Sequence, residues 1–187
     1  MTFTSKDIGL IIVLAVLHFV VTLTVGQLAR TITGIPGISY AFTIFHAVIT
    51  AFSVSIYNGA RWRFLFQTTI YTLLIIPTSI GGVPFDLVTK SGLIFNALIV
   101  DIVMISFYGL FKEKNHQLVW VTITTTIFWM LNPLFGIAIK SIILFPPDYI
   151  ANLISTVTLL YPVIIAESII GAWLGYTIYK RVTKIHS

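Results

Sequence analysis

The chain of 187 residues contains no cysteine. Disulfides, thiolate metal sites and thiol nucleophiles are therefore excluded. Charge is nearly as scarce. Only 9% of residues are Asp, Glu, Lys or Arg, where a water-facing domain carries about a quarter. Catalytic signatures are missing as well: no P-loop, G-x-S-x-G, H-E-x-x-H or intramembrane G-x-G-D run occurs. The chain is no ATPase, and it reads as a non-enzyme with no cofactor of its own.

What is present is apolar. Hydrophobic residues make up 57% of the chain, the mean hydropathy is +1.00, and apolar runs of about 20 residues recur along its length. This predicts an all-α integral membrane bundle of six transmembrane helices in a single domain over 1–187. The spans fall at about Ile8–Leu28, Ile38–Tyr57, Phe64–Ile80, Ser91–Phe111, Leu118–Ile137 and Asn152–Tyr179. Between them, Arg30–Gly37, Asn58–Arg63, Gly81-Gly82-Val83-Pro84, Lys112–Gln117 and Ala138–Ala151 carry turn chemistry or charge. The first apolar run exceeds the 7–15 residues of a secretory signal core and lacks a small-x-small cleavage site, so it reads as a retained helix.

Orientation follows from the basic residues. With the N-terminus inside, Lys6, Arg61, Arg63, Lys112, Lys114, Lys180, Arg181 and Lys184 lie on the cytoplasmic side, against Arg30, Lys90 and Lys140 outside. Both termini are thus expected in the cytoplasm of a multi-pass cell-membrane protein. The net charge of +5 is scattered over helix ends, where lipid and topology account for it, so nucleic acid is not implied as a partner. The three outer loops are rich in Gly, Pro and aromatics, among them Tyr40, Phe85 and Tyr149. Stiff aromatic loops on one side suit a cover over an outward-facing site.

Four ionisable groups fall near mid-helix: His18, His46, Asp101 and Glu167. Each must face the bundle or a wet cavity, because a charge in hydrocarbon costs at least about 2.5–3.5 kcal/mol. Two arrangements stay open. The four satisfy one another beneath an outer pocket, or they form a transition-metal site in a small intramembrane metal protein or enzyme. Helical spacing adds two polar stripes: Thr43, His46, Thr50 and Ser53 with Tyr57, and Thr122, Thr125, Trp129 and Asn132. Trp129 beside Asn132 pairs an aromatic platform with a two-way hydrogen-bonding amide. With Asn96, Asn152, His46 and Tyr40 they make the expected ligand-facing set. A flat polar heterocycle would suit it.

The final helix carries a small-residue notch, Gly171 and Gly175, which allows close helix approach within the bundle or against a partner. Its G-x-x-x-G-Y-x-I-Y-K-R ending, together with Lys6–Gly26 and Gly59–Leu74, resembles the substrate-binding S components of energy-coupling factor (ECF) vitamin transporters. The resemblance spans nearly the whole chain. It implies six helices, capture of a small water-soluble vitamin or precursor at the outer face, and docking on a transmembrane coupling subunit with two ATP-binding cassette ATPases. Many members dock through an Ala-x-x-x-Ala patch on the first helix; here the small positions are Gly9 and Ala15, at a different spacing.

Overall fold

The computed structural model describes residues 3–80, 84–112, 116–142 and 145–185. Gly81, Gly82 and Lys114, assigned above to an outer loop and an inner turn, lie outside the described residues. The described residues form helices and no strands. They run α1 (Ser5–Val21), a π-helical turn (Thr22–Gln27), α2 (Leu28–Thr33), a 3-10 turn (Ile38–Phe42), α3 (Thr43–Tyr57), α4 (Arg63–Ile75), α5 (Leu87–Phe111), α6 (Gln117–Ile142) and α7 (Pro147–Ile185).

Five stretches are long and apolar enough to cross a membrane: Ser5–Thr33, Ile38–Tyr57, Leu87–Phe111, Gln117–Ile142 and Pro147–Lys184. The burial pattern agrees with lipid as solvent. Large apolar side chains such as Leu159, Ile142, Ile32 and Leu110 face outward, while Thr50, Ser53, Gln67, Asn96, Asp101 and Thr125 are buried. A soluble fold sorts its residues the other way.

Several helix edges differ from the sequence reading, each for a local reason. The first helix does not stop before Arg30; it continues to Thr33 and ends at Gly34, whose φ of 67° is the left-handed C-cap that glycine adopts without strain. The fourth predicted helix begins earlier, because Asp86 caps Leu87–Phe111 by accepting from the Thr89 amide (3.0 Å). Pro147 opens α7 instead of sitting in a link, a position where the missing N–H costs nothing. Lys140, placed in that link, lies inside α6.

Hydrogen bonds fix which helix ends meet. At one end Arg63 donates twice to Asp7 (2.9 Å each), joining the starts of α4 and α1. Tyr108 of α5 donates to Asn58 after α3 (2.9 Å), and Tyr176 of α7 to Gln117 of α6 (3.3 Å). This is the terminal end, since it holds the first turn of α1 and the last turns of α7. At the opposite, distal end Arg30 donates to the Ser79 carbonyl (2.9 Å) and Lys140 stands over the Tyr149 ring (5.8 Å). The helices therefore run alternately up and down.

The tightest seam is between α3 and α7. A Cβ added at Gly171 would stand 2.5 Å from the Ala47 Cβ and 3.0 Å from the Ile44 carbonyl oxygen. At Gly175 it would strike the Val48 carbonyl and come within 2.9 Å of the Ala51 Cβ. Small residues four apart on both helices bring the backbones together, which in lipid replaces the hydrophobic drive. The notch is thus occupied within the chain.

Helix α4 is the exception in length. Its 13 residues span about 20 Å, short of the roughly 30 Å hydrocarbon layer. The sequence reading carried it to Ile80. Instead it stops at Ile75, and α5 closes both of its ends. Asp101 accepts from the Leu65 amide (2.8 Å) at its N-terminus. Lys90 donates to the carbonyls of Ile75 (2.9 Å), Ile76 (2.8 Å) and Thr78 (2.6 Å) at its C-terminus. Eleven residues on α5 are about three turns, or about 16 Å, so both side chains share one face and span most of α4. Anion at the positive pole and cation at the negative pole is the arrangement the helix dipole favours.

Candidate functional site

At the distal end the helices part around a cavity of about 140 Å³. That is close to the roughly 150 Å³ that takes a benzene ring in an engineered core cavity. The π-helical turn, α2, the 3-10 turn, the ends of α4 and α6 and the starts of α3, α5 and α7 all contribute to its wall. Below it, Phe64, Met104, Trp120, Val54 and Val121 are almost completely buried and close the terminal half.

Four rings cluster at the base of this cavity. Tyr71 stacks on His18 (centroids 4.8 Å, 27°). His18, His46 and Trp129 form a triangle, with centroids 5.1 Å apart for His18 and His46, 5.4 Å for His46 and Trp129 and 6.0 Å for His18 and Trp129. Tyr71, His46 and Trp129 line the cavity, with His18 behind them. Trp129 is fixed by donating to the Thr50 hydroxyl (3.3 Å), which joins the two polar stripes of α3 and α6. Tyr71 is fixed by Thr22 (hydroxyls 3.1 Å apart). His46 Nδ1 and His18 Nε2, both buried, have no hydrogen-bond partner among the described residues.

Of the residues expected to face a ligand, the structure brings Trp129, Asn132, His46 and Tyr40 together on the cavity wall. Asn96 and Asn152 stand elsewhere. Asn96 is fully buried and donates to the Phe128 carbonyl (2.9 Å), one turn ahead of Pro133 in α6. Pro133 removes the donor to the Trp129 carbonyl, four residues back, and Asn96 adds a bond to the carbonyl beside it. Tyr161 serves the Met130 carbonyl in the same way (3.0 Å). Asn152 is exposed on the first turns of α7.

The mid-helix ionisable groups do not assemble as a foursome. Only the two histidines meet. Asp101 caps α4, and Glu167 accepts from the Ile44 amide (3.0 Å) in the first turn of α3. Helix N-termini hold unsatisfied N–H groups that a carboxylate answers better than a neutral imidazole does. Among the described residues no three His, Asp or Glu side chains lie together as a metal site would need.

The docking candidates also separate. Gly171 and Gly175 are covered by α3, and Ala15 is buried against Tyr71, Ile75 and Ile80 of α4 and its continuation. Gly9 is exposed with nothing within 4 Å of its Cβ position. Beside the C-terminal hem, Trp173, Tyr176, Lys180 and Arg181 border a shallow depression at the terminal end, where Lys180 stands over the Tyr176 ring (5.4 Å). Such aromatic and basic pairs anchor a helix at the lipid surface.

Sequence reasoning missed three parts of the site. Arg30 and Lys140 line the cavity, although both counted above only toward topology. Their signal was present: basic side chains on the side where topology disfavours them need a separate reason. The third part is the π-helical turn Thr22–Gln27, which widens the first helix where Thr22 and Gly26 line the cavity. Such insertions concentrate at functional sites, but the Thr-Leu-Thr-Val-Gly-Gln run does not announce one.

Comparison with known proteins adds no assignment: no family model, no curated protein and no solved structure matches the chain.

Proposed function

We propose that the chain is a substrate-binding membrane subunit, an S component of an ECF-type importer. It takes a small water-soluble vitamin or precursor at its distal end and delivers it through a coupling subunit with two ATP-binding cassette ATPases. In this reading α4 with its continuation counts as the sixth span, both termini are cytoplasmic, and the distal end faces outward across the cell membrane. The protein itself performs no chemistry. The observation that carries the proposal is the cavity: ring-lined, polar, open at one end of the bundle and sealed beneath by packed side chains. A sealed lower half suits capture followed by release in another state, and it does not suit a continuous channel. Gly9, exposed on α1, remains available for contact with a coupling subunit, whereas Gly171 and Gly175 are used internally.

The test is native mass spectrometry of the purified protein, followed by uptake in reconstituted vesicles. A co-purified small molecule, and uptake that requires the ATPase subunits, is the expected result. Full uptake by this chain alone, insensitive to ATP, overturns it.

A further inference from the structure

Among the described residues the cavity wall carries two cations, Arg30 and Lys140, and no acidic side chain. Lys140 is only 8% exposed, yet among the described residues no carboxylate lies within ion-pair distance of it. Its ammonium stands 5.8 Å from the centre of the Tyr149 ring. Asp86 acts on it through space, but that carboxylate is engaged with the Thr89 amide (3.0 Å) and does not line the cavity. Arg30 gives one nitrogen to the Ser79 carbonyl (2.9 Å), and a guanidinium has further N–H donors to offer. The contrast with Lys90 is direct. That buried lysine is satisfied by three carbonyls, and Lys140 has no such set. Arg30 acts on Lys140 through space, and holding two like charges on one low-dielectric wall is costly unless an anion joins them.

We propose that the cavity binds a small ring-bearing organic acid. Its anionic group lies between Arg30 and Lys140, and its ring lies on the pair formed by His46 and Trp129. This rests on the reading of the cavity as a ligand site and narrows its substrate class. The volume admits one ring with a short acidic arm or a compact bicycle. A planar guanidinium matches a carboxylate in two parallel hydrogen bonds. His46 Nδ1 and the Asn132 amide, both at the wall, serve ring heteroatoms. The same anion could come from a lipid headgroup. The ring cluster favours the free acid, because a headgroup has nothing to lay against Trp129.

The test uses matched probes that differ in charge and hardly in shape: benzoate and benzamide, nicotinate and nicotinamide, indole-3-acetate and indole-3-acetamide. Titration calorimetry is run on the protein in phosphatidylcholine nanodiscs. In at least one pair the acid binds about tenfold or more tightly than its amide, as expected for a charge-assisted contact. Lys140→Met abolishes that preference without lowering the melting temperature of the ligand-free protein, while Lys140→Arg keeps it. Amides that bind as well as acids, or a preference that survives Lys140→Met, overturn the proposal and leave the binding-subunit reading standing. Failure of every acid and every amide to bind overturns the proposal, and the binding-subunit reading then rests on its own test by mass spectrometry and uptake. Adding phosphatidylglycerol at high salt, where surface potential is screened, leaves the acid's affinity unchanged. A tenfold loss there assigns the site to a lipid headgroup and overturns the free-acid proposal.

Discussion

The two ends of the bundle spend their polar groups differently. At the terminal end and through the middle, the charged groups and Asn96 are engaged by backbone or by each other, although Gln67 Nε2, Trp120 Nε1, Asn96 Oδ1 and Asp101 Oδ1 have no hydrogen-bond partner among the described residues. Asp101 and Glu167 each cap a helix start, and Asn96 ties α5 to the Phe128 carbonyl of α6. Arg63 is held by Asp7 within a capping box that Thr4 completes. At the distal end, polar atoms are left over. His46 Nδ1 lacks a hydrogen-bond partner and Lys140 lacks a carboxylate among the described residues, although both line the cavity. Lys90 is the instructive boundary case, since it sits near the distal end but belongs by its bonds to the scaffold. Buried polarity in a membrane bundle is therefore not one signal. Where backbone absorbs it, it holds geometry; where it is left over on the wall of a cavity, it marks a site.

Substitutions should divide along the same line, with scaffold residues costing stability and cavity residues costing ligand. The largest effect is expected at the α3–α7 seam. Gly175→Leu forces a side chain against the Val48 carbonyl and the Ala51 methyl, and backbone cannot step aside as a flexible side chain would. Overpacking of this kind costs about 3 kcal/mol or more, enough to abolish a monodisperse peak in size-exclusion chromatography. A well-folded Gly175→Leu protein would show that the seam opens freely. Next comes Lys90→Met, which removes three hydrogen bonds at once; the Ile75 and Ile76 carbonyls keep the Thr78 and Phe85 amides, and the Thr78 carbonyl loses its donor. A loss of roughly 2–3 kcal/mol is expected, read as a drop in melting temperature in nanodiscs. Asp101→Leu follows at about 2 kcal/mol, and Asp101→Asn recovers most of it, because an amide oxygen can still accept from Leu65.

How much of this could be read from the sequence follows from what each feature depends on. Helix positions were legible because lipid demands a long apolar run and imposes it residue by residue. The stripes through Thr43, His46 and Thr50, and through Thr125 and Trp129, were legible because both periodicities point inward, and those residues meet. The partners of Asp101 and Glu167 were not legible. Each binds the first turn of a helix remote in sequence, 36 residues away for Asp101 and 123 for Glu167. Nothing in the local pattern of α5 or α7 encodes which amide will need an acceptor. The shortness of α4 was hidden for the same reason. The run to Ile80 stays apolar, and only the arrival of Lys90 from α5 shows where the carbonyls end. Arg30 and Lys140 were overlooked because loop-charge counting treats a basic residue as topology alone.

At the cavity the balance should reverse. His46→Gln keeps a polar group of similar reach on α3 but removes one ring from the cluster. The expected cost in melting temperature is small, while affinity for the bound molecule falls about tenfold, the size of one lost ring or hydrogen-bond contact. Calorimetry on the same nanodisc preparation reads both quantities. If stability falls as it does for Asp101→Leu, His46 belongs to the scaffold and the division between the two ends fails there.

The smallest expected effects compare two asparagines that the sequence treated as equals. Asn152 is exposed on α7, while Asn96 is buried with its amide on the Phe128 carbonyl. Asn152→Ala should change neither melting temperature nor ligand affinity, staying within about 0.5 kcal/mol, as surface substitutions do. Asn96→Leu lies on the scaffold side of the line. It removes a buried hydrogen bond between α5 and α6, so stability should fall by about 1 kcal/mol. Any change in affinity should then be indirect, a loosening of α6 that reaches Trp129 and Asn132 together. A double variant separates the two cases. If Asn96→Leu acts through α6, its effect on affinity disappears once Trp129 is replaced by Leu. If Asn96 touches ligand itself, the two losses add. Additivity would move Asn96 from the scaffold to the cavity and redraw the boundary between the two ends through the middle of α5.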